Sequence, residues 1–274
     1  MGVIDLSRTS DRREWSLLRD GARVQRRVIG AIIIRELHTR FGRDNIGYLW
    51  MFAEPMLLAS GIGLVHFLTK TRLQGDLAIV PFYVTGYVVF IIFRNSVNRA
   101  AATIDSNRTL LYHRQITLLD LVFARNLLEV AATTIALFLL LGACAALGLG
   151  PLPERPMLLL ASVALMGWFT LGVSMLICSA SEAWSVVERL VHPTTYLLIP
   201  ASGMLFLLEW LPPSARDVLK WLPLTQILDL ARMGEFNSVD GQYVDGLYLV
   251  AVCALLTLTG LASLRLIRRR VHVE

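Results

Sequence analysis

The sequence predicts an all-α integral membrane protein: an amphipathic N-terminal helix lying in the membrane plane, six transmembrane helices, and a re-entrant helical hairpin between spans five and six. Three observations predict it. Of 274 residues, 55% are hydrophobic and 17% charged, and the mean hydropathy is +0.59, more apolar side chain than a water-soluble fold of this size covers. Six runs approach the roughly 20 apolar residues needed to cross about 30 Å of hydrocarbon. Arginines gather beside alternate connections, as the positive-inside rule requires.

The first 46 residues form an interface segment. On a helical wheel Trp15, Leu18, Ala22, Ile29 and Ile33 fall in a sector of roughly 60°, with Arg12, Arg19, Arg23 and Arg27 on the adjoining side. That pattern suits a helix at headgroup depth whose arginines reach phosphates; a helix packed on a partner protein is the alternative. Arg35, Arg40 and Arg43 continue the basic run. Gly42 ends the segment and Asn45 caps the crossing helix, which makes an elbow.

The first span, 47 to 69, carries Glu54 and Pro55 near its start. A carboxylate in hydrocarbon is costly unless paired or hydrated, and Pro55 leaves the carbonyl of Met51 without its helical donor. Glu54 has three readings: structure and assembly, substrate contact, or proton handling. The second span, 79 to 98, carries Tyr83, Tyr87, Phe90 and Arg94 at i, i+4, i+7 and i+11. Such a stripe serves helix packing or, since aromatic faces suit sugar rings, the lining of a sugar path.

A basic connection, 99 to 120, holds Arg99, Arg108 and Arg114. In the third span, 121 to 148, Arg125 and Glu129 stand at i and i+4 and are expected to pair on one helix face. The fourth span runs from 157 to 180. The fifth, 192 to 210, is interrupted by Pro200. Between it and the sixth, 246 to 267, Ser214 and Thr225 are expected to cap two short helices that dip partway into the outer leaflet. Backbone that turns at this depth needs protein or water to satisfy it, which implies a cavity beside the hairpin; an interfacial loop is the alternative. The tail is 268 to 274. Basic residues place the N-terminal segment, the 99 to 120 connection and the tail in the cytoplasm, and leave 70 to 78, 149 to 156 and 209 to 245 outside.

Several chemistries lack their residues. A phosphate-cradling GxxxxGK(S/T) loop needs a lysine after glycine, and neither Lys70 nor Lys220 follows one. The five histidines fall in no metal spacing, and no GxSxG occurs. No catalytic residue, metal or cofactor is therefore expected on this chain. The net charge of +5 sits beside apolar runs rather than in a soluble patch with stacking aromatics, which points to lipid and not nucleic acid. Cys144, Cys178 and Cys253 each lie in an apolar run and are expected to be small buried hydrophobes.

Three stretches carry a resemblance: RELHTRFGRDNIGYLWMFAEPMLL from residue 35, SGMLFLLEWLPPSARDVLKWLPLTQILDLARMGEF from residue 202, and LTLTGLASLRLIRRRVHVE at the end. Together they resemble the membrane subunit of type-2 ABC exporters for cell-surface polysaccharides, most of all the permeases of Gram-negative capsular polysaccharide, with O-antigen and teichoic acid exporters as relatives. The resemblance implies an inner-membrane homodimer with both termini cytoplasmic, docked to a separate ATP-binding cassette subunit that carries ATP and Mg. It implies a lipid-linked polysaccharide as substrate, and periplasmic and outer-membrane polysaccharide export proteins as partners. By analogy the 99 to 120 segment contacts the ATPase through Arg108, Tyr112, His113 and Arg114, and the 211 to 245 region is a periplasmic gate hairpin within a transmembrane domain of 47 to 267. Arg35, Arg40, Arg43 and Trp15 become candidates for the anchor phosphate or lipid, Tyr83, Tyr87, Phe90 and Arg94 for the channel lining, and Glu54 and Pro55 for the elbow that tilts. The rival from another class is a membrane-bound transferase acting on lipid-linked sugar, which needs clustered Asp, Glu or His at one leaflet.

Overall fold

The structure, a computed structural model, describes residues 6–41, 57, 61, 77–107, 110 and 116–271, with side chains from 19 to 39 in the first helix and to 267 in the last. Among them the order is α1 (Leu6–Phe41), α2 (Ile79–Ala101), a 3-10 turn (Asp105–Asn107), α3 (Leu118–Ala146), α4 (Pro156–Ala183), α5 (Ser185–Leu197), a second 3-10 turn (Leu208–Trp210), α6 (Pro213–Leu219), α7 (Pro223–Glu235) and α8 (Gly246–Val271). The predicted first span, with Glu54 and Pro55, lies outside the described residues.

Among the described residues four helices, α2, α3, α4 and α8, are long and apolar enough to cross a membrane. They match the second, third, fourth and sixth predicted spans within a few residues. The start of α3 is fixed by a capping box: Thr117 Oγ1 accepts from the Asp120 amide at 3.2 Å, and the Asp120 carboxylate accepts from the Thr117 amide at 3.0 Å. Helix α4 opens on Pro156, whose missing N–H costs nothing in a first turn. Its contact with α8 is close: a Cβ on Gly172 would stand 2.7 Å from Leu256 Cβ, and one on Gly260 2.8 Å from Met175 Cβ. Small residues at such a crossing bring the backbones together where water supplies no hydrophobic drive.

The fifth span is not a single crossing helix. Helix α5 stops at Leu197, and residues 198–206 turn before the 3-10 segment begins. Gly203 holds φ at +84°, a left-handed value, and the carbonyls after it turn inward to side-chain donors instead of helical amides. The hairpin helices exist, but not with the expected caps. Pro213 and Pro223 open α6 and α7, Pro212 and Leu222 occupy the cap positions, and Ser214 and Thr225 fall inside the first turns. Proline at the first helical position is already preset for φ, so the start needs no hydroxyl.

The core is shared by α2, α3, α4, α7 and α8, centred on Phe90, Ile92, Leu141, Met166, Ile227 and Leu249. The three cysteines are free and buried in it or beside it, as expected. Among the described residues, the 149–156 loop and the start of α3 lie at opposite ends of the bundle. At one end the loop before α4 meets the end of α7: the amides of Arg155 and Glu154 donate to the carbonyls of Gly234 and Glu235, at 2.9 and 3.3 Å. At the other, Ile32 of α1 packs against Leu121 and Ala124 of α3. Ile29 and Ile33, read as facing lipid, lean on this same contact, while Arg19, Arg23, Arg26 and Arg27 stay exposed. The α1 stripe is thus used in part within the chain.

Candidate functional site: an arginine-braced break and a helix latch

The break after α5 is held by two arginines. Arg232, on α7, has no solvent exposure. One of its terminal nitrogens donates to the carbonyls of Gly203, at 2.7 Å, and Phe206; the other donates to Met204. Its guanidinium carbon lies 3.9 Å from the centroid of the Phe82 ring on α2, a cation–π contact made stronger by desolvation. Arg216, on α6, takes the next carbonyls, those of Leu208 at 3.2 Å, Glu209 at 3.2 Å and Leu211 at 2.7 Å, and also donates to Tyr243 Oη at 2.9 Å. Unpaired backbone in an apolar setting costs several kcal/mol per group, so this turn is satisfied by protein rather than by solvent.

The electrostatics follow from burial. Burial pushes the Arg232 guanidinium down to about 10, with Asp229 and Tyr83 opposing the shift, so it remains a cation at neutral pH. Asp229, one turn earlier, approaches it at 3.7 Å and accepts from the Leu208 amide at 3.3 Å. Burial raises the Asp229 carboxyl to about 7, while Arg232 and the Leu208 amide pull it back. Glu235 is also fully buried, and among the described residues neither of its oxygens has a hydrogen-bond partner. Burial, then the neighbouring Glu154, raises it to about 8.

Gly86 makes room for the brace: a Cβ there would stand 2.6 Å from the Met204 carbonyl oxygen and 2.7 Å from an Arg232 nitrogen. Phe82 stacks on Trp210, with ring centroids 5.1 Å apart, which fixes the far side of the turn to α2.

At the opposite end, α1 is latched to α3. Arg125 donates through Nε to Glu36 at 2.7 Å and through a terminal nitrogen to Thr103 at 3.1 Å. Gln25 donates to Asp120 at 3.1 Å, and Arg35 to Asn107 at 3.0 Å. The expected Arg125–Glu129 pair is not formed: Glu129 accepts from Asn95 at 2.7 Å and faces Arg99 at 3.8 Å. A partner on another helix, distant in sequence, outcompetes the one a turn away.

Residues 27–236 match the ABC-2 type transporter family. The chain belongs to that family.

Among its family relatives, the chain is 36% identical over 239 residues to the capsule polysaccharide export inner-membrane protein CtrC of Neisseria meningitidis serogroup B, covering 87% of this chain and 90% of that protein. It is 33% identical over 242 residues to the capsule polysaccharide export inner-membrane protein BexB of Haemophilus influenzae, covering 88% and 91%. It is 25% identical over 250 residues to the polysialic acid transport protein KpsM of Escherichia coli, covering 91% and 96%.

Within this ABC-2 chain the predicted site residues separate. Tyr83, Tyr87 and Phe90 are buried among the helices. Arg94, half-buried, lies 4.3 Å over the ring of Tyr196 on α5 and donates to its hydroxyl. Arg35 is on the latch. The side chains of Trp15 and Arg40 lie outside the described residues, as do Arg43, Arg108, Tyr112, His113 and Arg114 altogether. Sequence reasoning missed Arg232 and Asp229. Their signal was an i, i+3 charged pair inside LTQILDLARMG, a stretch read only as a short helix of the hairpin.

Proposed function

We propose that the chain is the membrane subunit of an ATP-driven exporter that moves a lipid-anchored capsular polysaccharide across the bacterial inner membrane. The observation that carries this reading is the 36% identity to a capsule polysaccharide export inner-membrane protein along nearly the whole of both chains. In this reading a second copy completes the conduit, and a separate ATP-binding cassette subunit holds ATP and Mg and docks on 99 to 120, where Arg108, Tyr112, His113 and Arg114 meet it. Both termini are cytoplasmic, and periplasmic and outer-membrane export proteins take the polymer onward.

The remaining roles are assigned by chemistry. Arg40 and Arg43 neutralise an anchor or lipid phosphate beside Trp15, Glu54 and Pro55 sit on the element that tilts, and the braced break with α6 and α7 is the periplasmic gate. Arg94 and Tyr196 offer a cation and an aromatic edge to a glycan, and Tyr83, Tyr87 and Phe90 follow them inward when the helices part.

The test is purification in mild detergent from cells that make the capsule, with export scored in a deletion strain. An ATP-binding subunit in stoichiometric amount, and capsule restored by the chain, are the expected results. A lone chain that turns over a sugar donor would overturn the reading. Arg40→Gln with Arg43→Gln is expected to cut export at least tenfold without loss of the ATPase.

A further inference from the structure

Beside the latch a cavity opens between α2, α3 and α4, lined in part by Ser96, Arg99, Arg125, Asn126 and Ser174. Ser96, Asn126 and Ser174 are 7%, 7% and 2% exposed. Among the described residues Ser96 Oγ, Asn126 Oδ1 and Ser174 Oγ have no hydrogen-bond partner. Three orphaned polar atoms, one from each helix around the cavity, call for a ligand, since buried polar groups in native folds are paired.

The donor set narrows what that ligand is. The Asn126 amide nitrogen is committed to the Gly167 carbonyl at 2.9 Å, so its oxygen needs a donor. Arg125 and Arg99 are matched by Glu36 at 2.7 Å and Glu129 at 3.8 Å, which removes the field that would draw a free anion. A small neutral molecule that both donates and accepts remains, and water fits that description.

Arg125 also lines the cavity. It bonds to Glu36 on α1, yet Glu129 stands one turn along its own helix, at the i, i+4 spacing where such side chains meet. Arg125 thus holds a carboxylate on α1 and leaves to Asn95 and Arg99 a second one, a turn along its own helix, with a polar cavity next to it.

We propose that this cavity is a water site through which Arg125 exchanges Glu36 for Glu129, so that α1 can leave the bundle without stranding a buried cation. The inference goes beyond the export reading and rests on none of it.

The test is a set of double-mutant cycles on thermal unfolding of the full chain in detergent. Coupling between positions 125 and 129, from Arg125→Gln and Glu129→Gln, is measured with Glu36 present and again with Glu36→Gln. Exchange predicts that the coupling in Tm at least doubles once Glu36 is neutral. Ser174→Val, which fills the cavity with methyl groups, is expected to cancel that gain. Equal coupling in the two backgrounds, or a gain that survives Ser174→Val, overturns the proposal. Should Arg125→Gln fail to fold, Arg125→Lys, whose point charge leaves both carboxylates loosely held, replaces it in the cycle with the same expected ordering.

Discussion

The guanidinium of Arg232 is stacked 3.9 Å from the ring of Phe82, which joins a fully buried cation of α7 to the first turns of α2. Its nitrogens are shared among backbone carbonyls of the turn that interrupts the fifth predicted span. Loss of this side chain therefore exposes a set of buried acceptors and a buried carboxylate together.

Arg232→Met is expected to destabilise the chain by about 3–5 kcal/mol, the range for removing one partner of a buried charged network. Arg232→Lys should fall between Met and the native residue, because an ammonium cannot reproduce the planar fork or its stacking. Thermal unfolding in detergent measures both. A Met variant as stable as the native chain would remove the brace from the account.

Gly86→Ala should cost about 1–3 kcal/mol, the usual range for overpacking, since its Cβ meets the Met204 carbonyl and Arg232. Gly30→Ala on α1 meets nothing within 4 Å and should be neutral or stabilising by up to about 1 kcal/mol. The contrast in Tm between the two substitutions is the measurement.

Stability should fall as pH rises from 5 to 8.5. Glu235 is raised from its ordinary 4.5 to about 8, so between those values the folded chain holds a proton that the unfolded chain has lost. The unfolded state then binds fewer protons, and unfolding becomes easier with each increment of pH. Asp229, raised to about 7, acts in the same direction up to that pH. Glu235→Gln should flatten the upper part of the Tm profile and leave the Asp229 part in place.

Glu36→Gln should weaken the α1 latch by about 2 kcal/mol, as for a hydrogen bond to a charged group. The exchange of the pair, Glu36→Arg with Arg125→Glu, should recover part of it. Trypsin reads the effect at the exposed Arg23, Arg26 and Arg27 of α1, whose cleavage tracks local opening and should quicken in the single variant.

Four spans were legible because an apolar run long enough to cross a bilayer has few alternatives to a helix. The cysteines were legible for the same reason. The break at 198–206 was legible through Pro200, but what holds it was not, since Arg232 lies far along the chain and reaches the turn only through tertiary packing. The Arg125–Glu129 pairing failed in the same way: helix spacing identifies neighbours, whereas Glu36 arrives through tertiary packing. One local signal was readable and went unread, the Thr117/Asp120 capping box that starts α3 three residues before the predicted span.

Helix α5 contains 13 residues, and at about 1.5 Å each it spans only about 20 Å, some two thirds of a typical hydrocarbon slab. Wherever lipid rather than protein meets that flank, acyl chains must shorten and the leaflet must dimple toward the turn. A thin spot in the bilayer would then follow that flank, located by where a short helix gives out.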